Sequence, residues 1–118
     1  MITIFPIENR AALEAAKQRL DSGADAVLEA KEGERPLGEI AFSLSADELR
    51  ITALEVQEPF IVDGLIKSAL SYAGQREIPL VTANAIPGYE AALGAVGFEK
   101  LGDQFYLRID AFQKKCKS

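Results

Sequence analysis

A mixed α/β fold (α+β) is what this sequence predicts: a mostly antiparallel sheet of six to seven strands with helices on both faces. Three observations predict it. Between residues 39 and 53 apolar residues alternate with others, Ile40, Phe42 and Leu44 against Glu39, Ala41 and Ser43, and Leu49, Ile51 and Ala53 do the same after a turn. That period of two marks antiparallel strands covered on one face. From Asp63 to Ala73 the period becomes helical, with Leu65, Ile66, Ala69, Leu70 and Ala73 on one side. Then "IPLVTANA" is nearly all apolar, as a strand covered on both faces would be.

The elements follow in order. "MITIFPI" reads as a short strand ended by Pro6. In "ENRAALEAAKQRLDSG" Ala12, Leu13, Ala16 and Leu20 share a helical face, with Gly23 as the stop. "DAVLEAKEGERPLGEIAFSLSADELRITALEV" reads as three strands joined by turns at "EGERP" and "SADE". The helix from Asp63 is expected to close around Gly74, with Asp63 as its N-cap. "PGYEAALGAVG" reads as a short helix opened by Pro87 and ended by Gly97. "FEKLGDQFYLRIDAF" reads as two strand pieces around Gly102-Asp103, with Phe105, Leu107 and Ile109 pointing one way and Tyr106 and Arg108 the other. The expected order is β-α-β-β-β-α-β-α-β-β in a single domain, 1–118. The strand after the second helix is expected to return parallel to the strand before it. A sheet of this kind splays at that pair, its fourth and fifth strands, and leaves a cleft.

Composition narrows the chemistry. The chain has 118 residues and a net charge of −5, which speaks against a nucleic-acid surface or a polybasic membrane anchor. The opening "MITIFPIENR" is too short and too soon charged for a signal peptide, and no apolar run approaches spanning length, so a cytoplasmic protein is expected. With no histidine, His-dependent triads and His metal sites are excluded; one cysteine, Cys116, builds neither a disulfide nor a thiolate zinc site, and no metal is expected. Catalysis would rest on carboxylates, tyrosines, lysines, hydroxyls, backbone amides or that thiol, whose neighbours Lys114, Lys115 and Lys117 favour thiolate.

With these elements in this order the chain resembles the GNAT superfamily of acetyl-CoA-dependent N-acetyltransferases. The likeness covers nearly the whole chain, with one helix between the first two strands where the family usually has two. The family run V-x-P-x-Y-R-G-K-G-I-G is matched here by V-Q-E-P-F-I-V-D-G-L-I-K-S-A-L, residues 56–70: Val56 fits, Phe60 replaces the aromatic and Gly64 falls at the right distance. In "AVGFEK", Gly97 and Phe98 coincide with the "lGFe" that closes the family's last helix.

The resemblance implies acetyl-CoA as co-substrate and an amine, small molecule or peptide, as acceptor. In the family, backbone N–H groups at a helix N-terminus hold the CoA pyrophosphate. Carried over, the cofactor-binding residues are Val56, Gln57, Val62, Asp63, Gly64, Leu65, Lys67 and Asn84. A backbone amide near Val56 or Gln57 would polarise the carbonyl. Glu55 or Glu58 would take the amine proton, and Tyr89, one turn before the family's tyrosine position at Leu93, would be the acid.

The departures are specific. Ile61 stands where the family has Arg or Gln, Ile66 where it has a glycine, and Asp63 brings an anion to an anion site. At roughly 4–5 Å a like charge costs about 3–4 kcal/mol at an effective dielectric of about 20. Amides at 62–66 facing the cleft would admit CoA, and Ile61 and Ile66 filling it would bar the cofactor. The plainer readings also stand: Gly64 as a helix-start residue, Lys67 as a solvated cation, and Tyr72 and Tyr106 as packing residues. Two functions remain open, an acyl-CoA-dependent N-acetyltransferase and a catalytically inactive ligand-binding or interaction module of the same fold. A homodimer through the splayed strands is compatible with either.

Overall fold

The computed structural model describes residues 1–20, 23–84 and 86–109. The elements are β1 (Ile2–Pro6), α1 (Arg10–Arg19), β2 (Ala26–Glu32), β3 (Arg35–Leu44), β4 (Glu48–Val56), a 3-10 turn (Pro59–Ile61), α2 (Val62–Gln75), β5 (Leu80–Asn84), α3 (Glu90–Val96), β6 (Glu99–Leu101) and β7 (Gln104–Arg108). They form one sheet in the order β1-β2-β3-β4-β5-β7-β6. Every neighbouring pair is antiparallel except β4 and β5, which run parallel. The predicted class and element order are those found. Cys116 and the rest of the basic tail lie outside the described residues.

The two faces of the sheet are covered differently. α2 and α3 pack on one face, where Leu28, Ile40, Phe42, Leu49, Ile51, Val81, Phe105, Leu107 and Ile109 meet Leu65, Ile66, Ala69, Leu70 and Leu93. α1 covers part of the other, where Ala16 meets Ala24, Val27 and Ala41, flanked by Leu13, Leu20 and Ala53. β3 is therefore covered on both faces rather than on one, and the alternation at 39–43 understated its burial because α1 closes over Ala41 while Arg19 at its end pairs with Glu39.

α1 is capped by Asn9, whose Oδ1 accepts from the N–H of Ala12 at 2.9 Å. α2 has no capping side chain. It begins at Val62, one residue earlier than expected, because the 3-10 turn feeds directly into it and Ile61 takes the N-cap place. Asp63 is thus in the first turn and is not the cap. Burial of Val62, Leu65, Ile66 and Leu70 contributes about 1.5–3 kcal/mol each, well above the ~1 kcal/mol that a cap would add. The helix also runs past Gly74 to Gln75. It closes in a Schellman arrangement: Ile78 N–H donates to the Ala73 carbonyl at 2.9 Å and Glu77 N–H to that of Gly74 at 3.2 Å, with Glu77 left-handed at φ 57°. α3 starts at Glu90, after a turn through Pro87, and ends on Gly97 at φ 126°.

Two bulges shape the region between β3 and β5. In β3 the register passes from Ala30↔Gly38 to Lys31↔Pro36, so Leu37 is the extra residue, and it turns into the main core. In β4 it passes from Ala41↔Ala53 to Phe42↔Ile51, so Thr52 is the extra one. An extra residue shifts the facing of everything after it. Leu49 and Ile51 before the bulge, and Leu54 and Val56 after it, all face α2, while Ala53 joins the α1 side. Simple alternation through Ala53 missed that step.

Candidate active site where two strands part

The parallel pairing of β4 with β5 runs from Glu48↔Leu80 to Ile51↔Ala83 and stops there, at the Thr52 bulge. β4 continues to Val56, and β5 reaches Asn84 while still paired to β7. The pair splays from the bulge onward, because a bulge bends its strand and adds local twist. Since β4 and β5 point the same way, the starts of α2 and α3 lie at this same carboxyl end, the usual place for a ligand crevice in such sheets.

The β4 edge at the gap follows from the ladder. Gln57 N–H donates to the Leu37 carbonyl of β3 at 2.9 Å. Antiparallel alternation then directs the N–H of Glu55 toward β3 and those of Leu54 and Val56 away from it, into the gap left by β5. The Gln57 amide is therefore committed to β3, and of the two only the Val56 amide points into the gap.

The carboxylates take different positions. Glu55 is exposed on the α1 face, beside the gap and directly opposite Glu39 on β3. Glu39 is buried at 5% exposure and is held by Arg19 of α1. Glu58 is engaged by Arg35 at the start of β3, which also approaches Glu32 at 3.5 Å. Asn84 is exposed at the end of β5, and Tyr89 is half-buried at the start of α3, packed on the main core. Leu93 is in the core. The fold thus gathers Glu55, Val56, the first turn of α2, Asn84 and Tyr89 at one end of the sheet, and ties Glu58 to β3.

At the start of α2, Ile61 and Ile66 are buried in the core, at 5% and 0% exposure. A Cβ at Gly38 would lie 3.0 Å from Ile61 Cγ2 and 2.9 Å from Val56 Cγ1, so Ile61 packs beneath β3. Asp63 and Lys67 are exposed and paired at 3.0 Å. Val62 and Leu65 face inward. A Cβ at Gly64 would meet Ile4 Cδ1 of β1 at 3.4 Å, an ordinary contact.

A further polar set lies on the face opposite α2 and α3. Thr82, buried in β5, donates to Glu48, which also pairs with Arg50. Tyr106 donates to Glu99 Oε2 at 2.6 Å, and this hydrogen bond and the charge of Glu99 raise the phenol above its usual 10.0. Beside them Leu80, Leu101, Gln104, Tyr106 and Arg108 line an open groove of about 270 Å³. Tyr106 is more than the packing residue expected. The legible signal was Thr82, a hydroxyl inside an apolar strand that required a buried partner. Tyr72 does pack, 4.9 Å from the Phe42 ring centroid with Arg76 over its own face. Among the described residues no group of His, Cys, Asp or Glu is placed to hold a metal ion. No helix there is long and apolar enough to cross a membrane.

No protein-family model matches the chain, and no curated protein matches it in sequence at significance. Solved structures do match in shape. The ribosomal-protein-S18-alanine N-acetyltransferase from Escherichia coli superposes with a TM-score of 0.73 over 92% of this chain and 94% of that one, at 12% identity. The fold is that of the GNAT acetyltransferases. A GNAT family acetyltransferase from Elizabethkingia anophelis with acetyl-CoA bound gives 0.66 over 91% and 97%, at 16% identity. A KacTA–DNA complex gives 0.69 over 99% of each chain, at 13%. At these identities the superpositions show a shared fold, and the parting of β4 from β5 belongs to it.

Proposed function

We propose that the chain is an acyl-CoA-dependent N-acyltransferase acting on an amine, small molecule or peptide, and the observation that carries this reading is the β4 edge. Two consecutive outward amides, Leu54 and Val56, face a gap with no strand opposite, beside an exposed carboxylate, Glu55. Acyl-CoA, when bound, supplies the activated acyl group. The Val56 N–H polarises its carbonyl oxygen in this reading, a contribution that grows as charge develops on that oxygen. Glu55 Oε takes a proton from the incoming ammonium, so that the amine lone pair is free. Tyr89, at the same end of the sheet, is the hydroxyl that can return a proton to a departing thiolate. Asn84 closes the gap on the β5 side. A nucleic-acid partner is not part of this reading, given the net charge of −5.

Titration calorimetry with acetyl-CoA, followed by thiol release across a panel of amines, tests it. Binding together with turnover that falls about 100-fold in Glu55→Gln at unchanged KM supports the assignment. Absence of both leaves the other reading, a GNAT-fold binding module that no longer transfers acyl groups.

A further inference from the structure

We infer that this chain reads an acyl donor through its acyl-pantetheine arm and does not recognise the nucleotide half of CoA. The inference rests on the acyltransferase reading above and concerns the start of α2. A helix N-terminus holds phosphate when its first N–H groups are free and its positive dipole end is unanswered. Here the donors that lead into the helix are largely spent, and its dipole end is answered. Gln57 and Glu58 donate to the Leu37 carbonyl at 2.9 and 3.2 Å, Ile61 donates to Glu58 at 3.1 Å, and Val62 donates to Pro59. Pro59 has no N–H. Of the six residues from 57 to 62, only Phe60 keeps a backbone donor outside these bonds. The 3-10 turn has taken up the Ile61 and Val62 amides, two of the first four donors at the head of the helix, and only those of Asp63 and Gly64 stand outside these bonds.

The side chains agree. Ile61 and Ile66 offer no donor and are in the core. The carboxylate of Asp63 answers the dipole from within the first turn, and Lys67, the cation nearest to it, is spent on that carboxylate at 3.0 Å. The bare side of Gly64 faces Ile4, so its missing side chain opens no room for a phosphate. A multiply charged nucleotide meets a first turn that carries a carboxylate and no cation of its own, on a chain that is itself −5. The Leu54 and Val56 amides, by contrast, suit the uncharged amide chain of pantetheine.

The test is calorimetric titration of the native protein at low and at moderate salt with acetyl-CoA, acetyl-pantetheine and the adenosine bisphosphate half of CoA. Expected are affinities for the first two within about threefold of each other, little change with salt, and no heat from the nucleotide. Acetyl-CoA binding about tenfold or more tightly than acetyl-pantetheine, with an advantage that shrinks as salt rises, overturns the inference while leaving the acyltransferase reading intact. If neither thioester binds, the acyltransferase reading itself falls, and this inference falls with it.

Discussion

The two faces of the sheet are built by different means. Against α2 and α3 the contact is apolar and close: Phe42, Ile40 and Leu65 are fully buried, and a Cβ at position 38 would press on Val56, Ile61 and Leu65. Against α1 the apolar contact is small, four buried residues among those described, and the face is completed by polar links, Arg19 to Glu39, Glu48 to Thr82, and Tyr106 to Glu99. Of the polar groups at the gap, Glu55 and Asn84 belong to this second face, while Tyr89 stands on α3 against the first. A close apolar layer sets the geometry of the parted strands, and the more open face carries exposed polar groups. Apolar packing and polar links are thereby divided between the two sides.

Substitutions can sharpen or break that division. The largest loss is expected from Phe42→Ala, which empties the centre of the packed face: about 3–5 kcal/mol of unfolding free energy, measured by denaturant titration. Gly38→Val comes next, at about 1–3 kcal/mol, because its Cβ would stand 2.9 Å from Val56 Cγ1, 3.0 Å from Ile61 Cγ2 and 3.1 Å from Leu65 Cδ1. Equal tolerance of valine and glycine there would mean that the close approach of α2 to β3 is wrong. On the other face, Arg19→Ala leaves the buried Glu39 without its cation. Arg19 is half exposed, so water recovers part of the loss, and about 1–2 kcal/mol is expected. A loss as large as that of Phe42→Ala would erase the contrast.

Glu55→Gln should change stability by less than about 0.5 kcal/mol, since the side chain is exposed. A large loss of stability would make Glu55 a structural member of the α1 face instead of a free base. The smallest effect concerns pH. The hydrogen bond to Glu99 raises the Tyr106 phenol above 10.0 in the folded chain. Stabilisation from this group is therefore complete below the ordinary phenol value and is lost as pH climbs through the folded one. Phenolate absorbance should show one tyrosine titrating late, and Glu99→Gln should bring it down. An unchanged titration in that variant would remove this link from the polar face.

Much of this was legible in the sequence where one physical rule governs. Period-two alternation located β3 and the start of β4, helical spacing located α2, and Gly102-Asp103 marked the last hairpin. The facing of Phe105, Leu107 and Ile109 is as the alternation implies. The motif at 56–70 sufficed to expect the GNAT fold and a gap beside the fourth strand. What escaped depended on partners distant in the chain. The Thr52 bulge, which turns Leu54 rather than Ala53 toward α2, is a property of the β3–β4 register and leaves no local mark. The burial of Glu39 required Arg19, twenty residues earlier. Asp63 looked like a cap because a 3-10 turn cannot be told from a loop before its carbonyls find their donors.

The sequence by itself determined the class, the element order and the chemistry that is excluded, because hydrophobic period, turn residues and the absence of histidine act locally or by composition. Only the tertiary structure decided which amides remain free. Leu54 and Val56 face an open gap because β5 leaves β4 at a bulge, and the amides of Gln57, Glu58, Ile61 and Val62 are closed because they fold back onto Leu37, Glu58 and Pro59. Both outcomes depend on where a donor's partner ends up in space, and no single stretch of the chain records that.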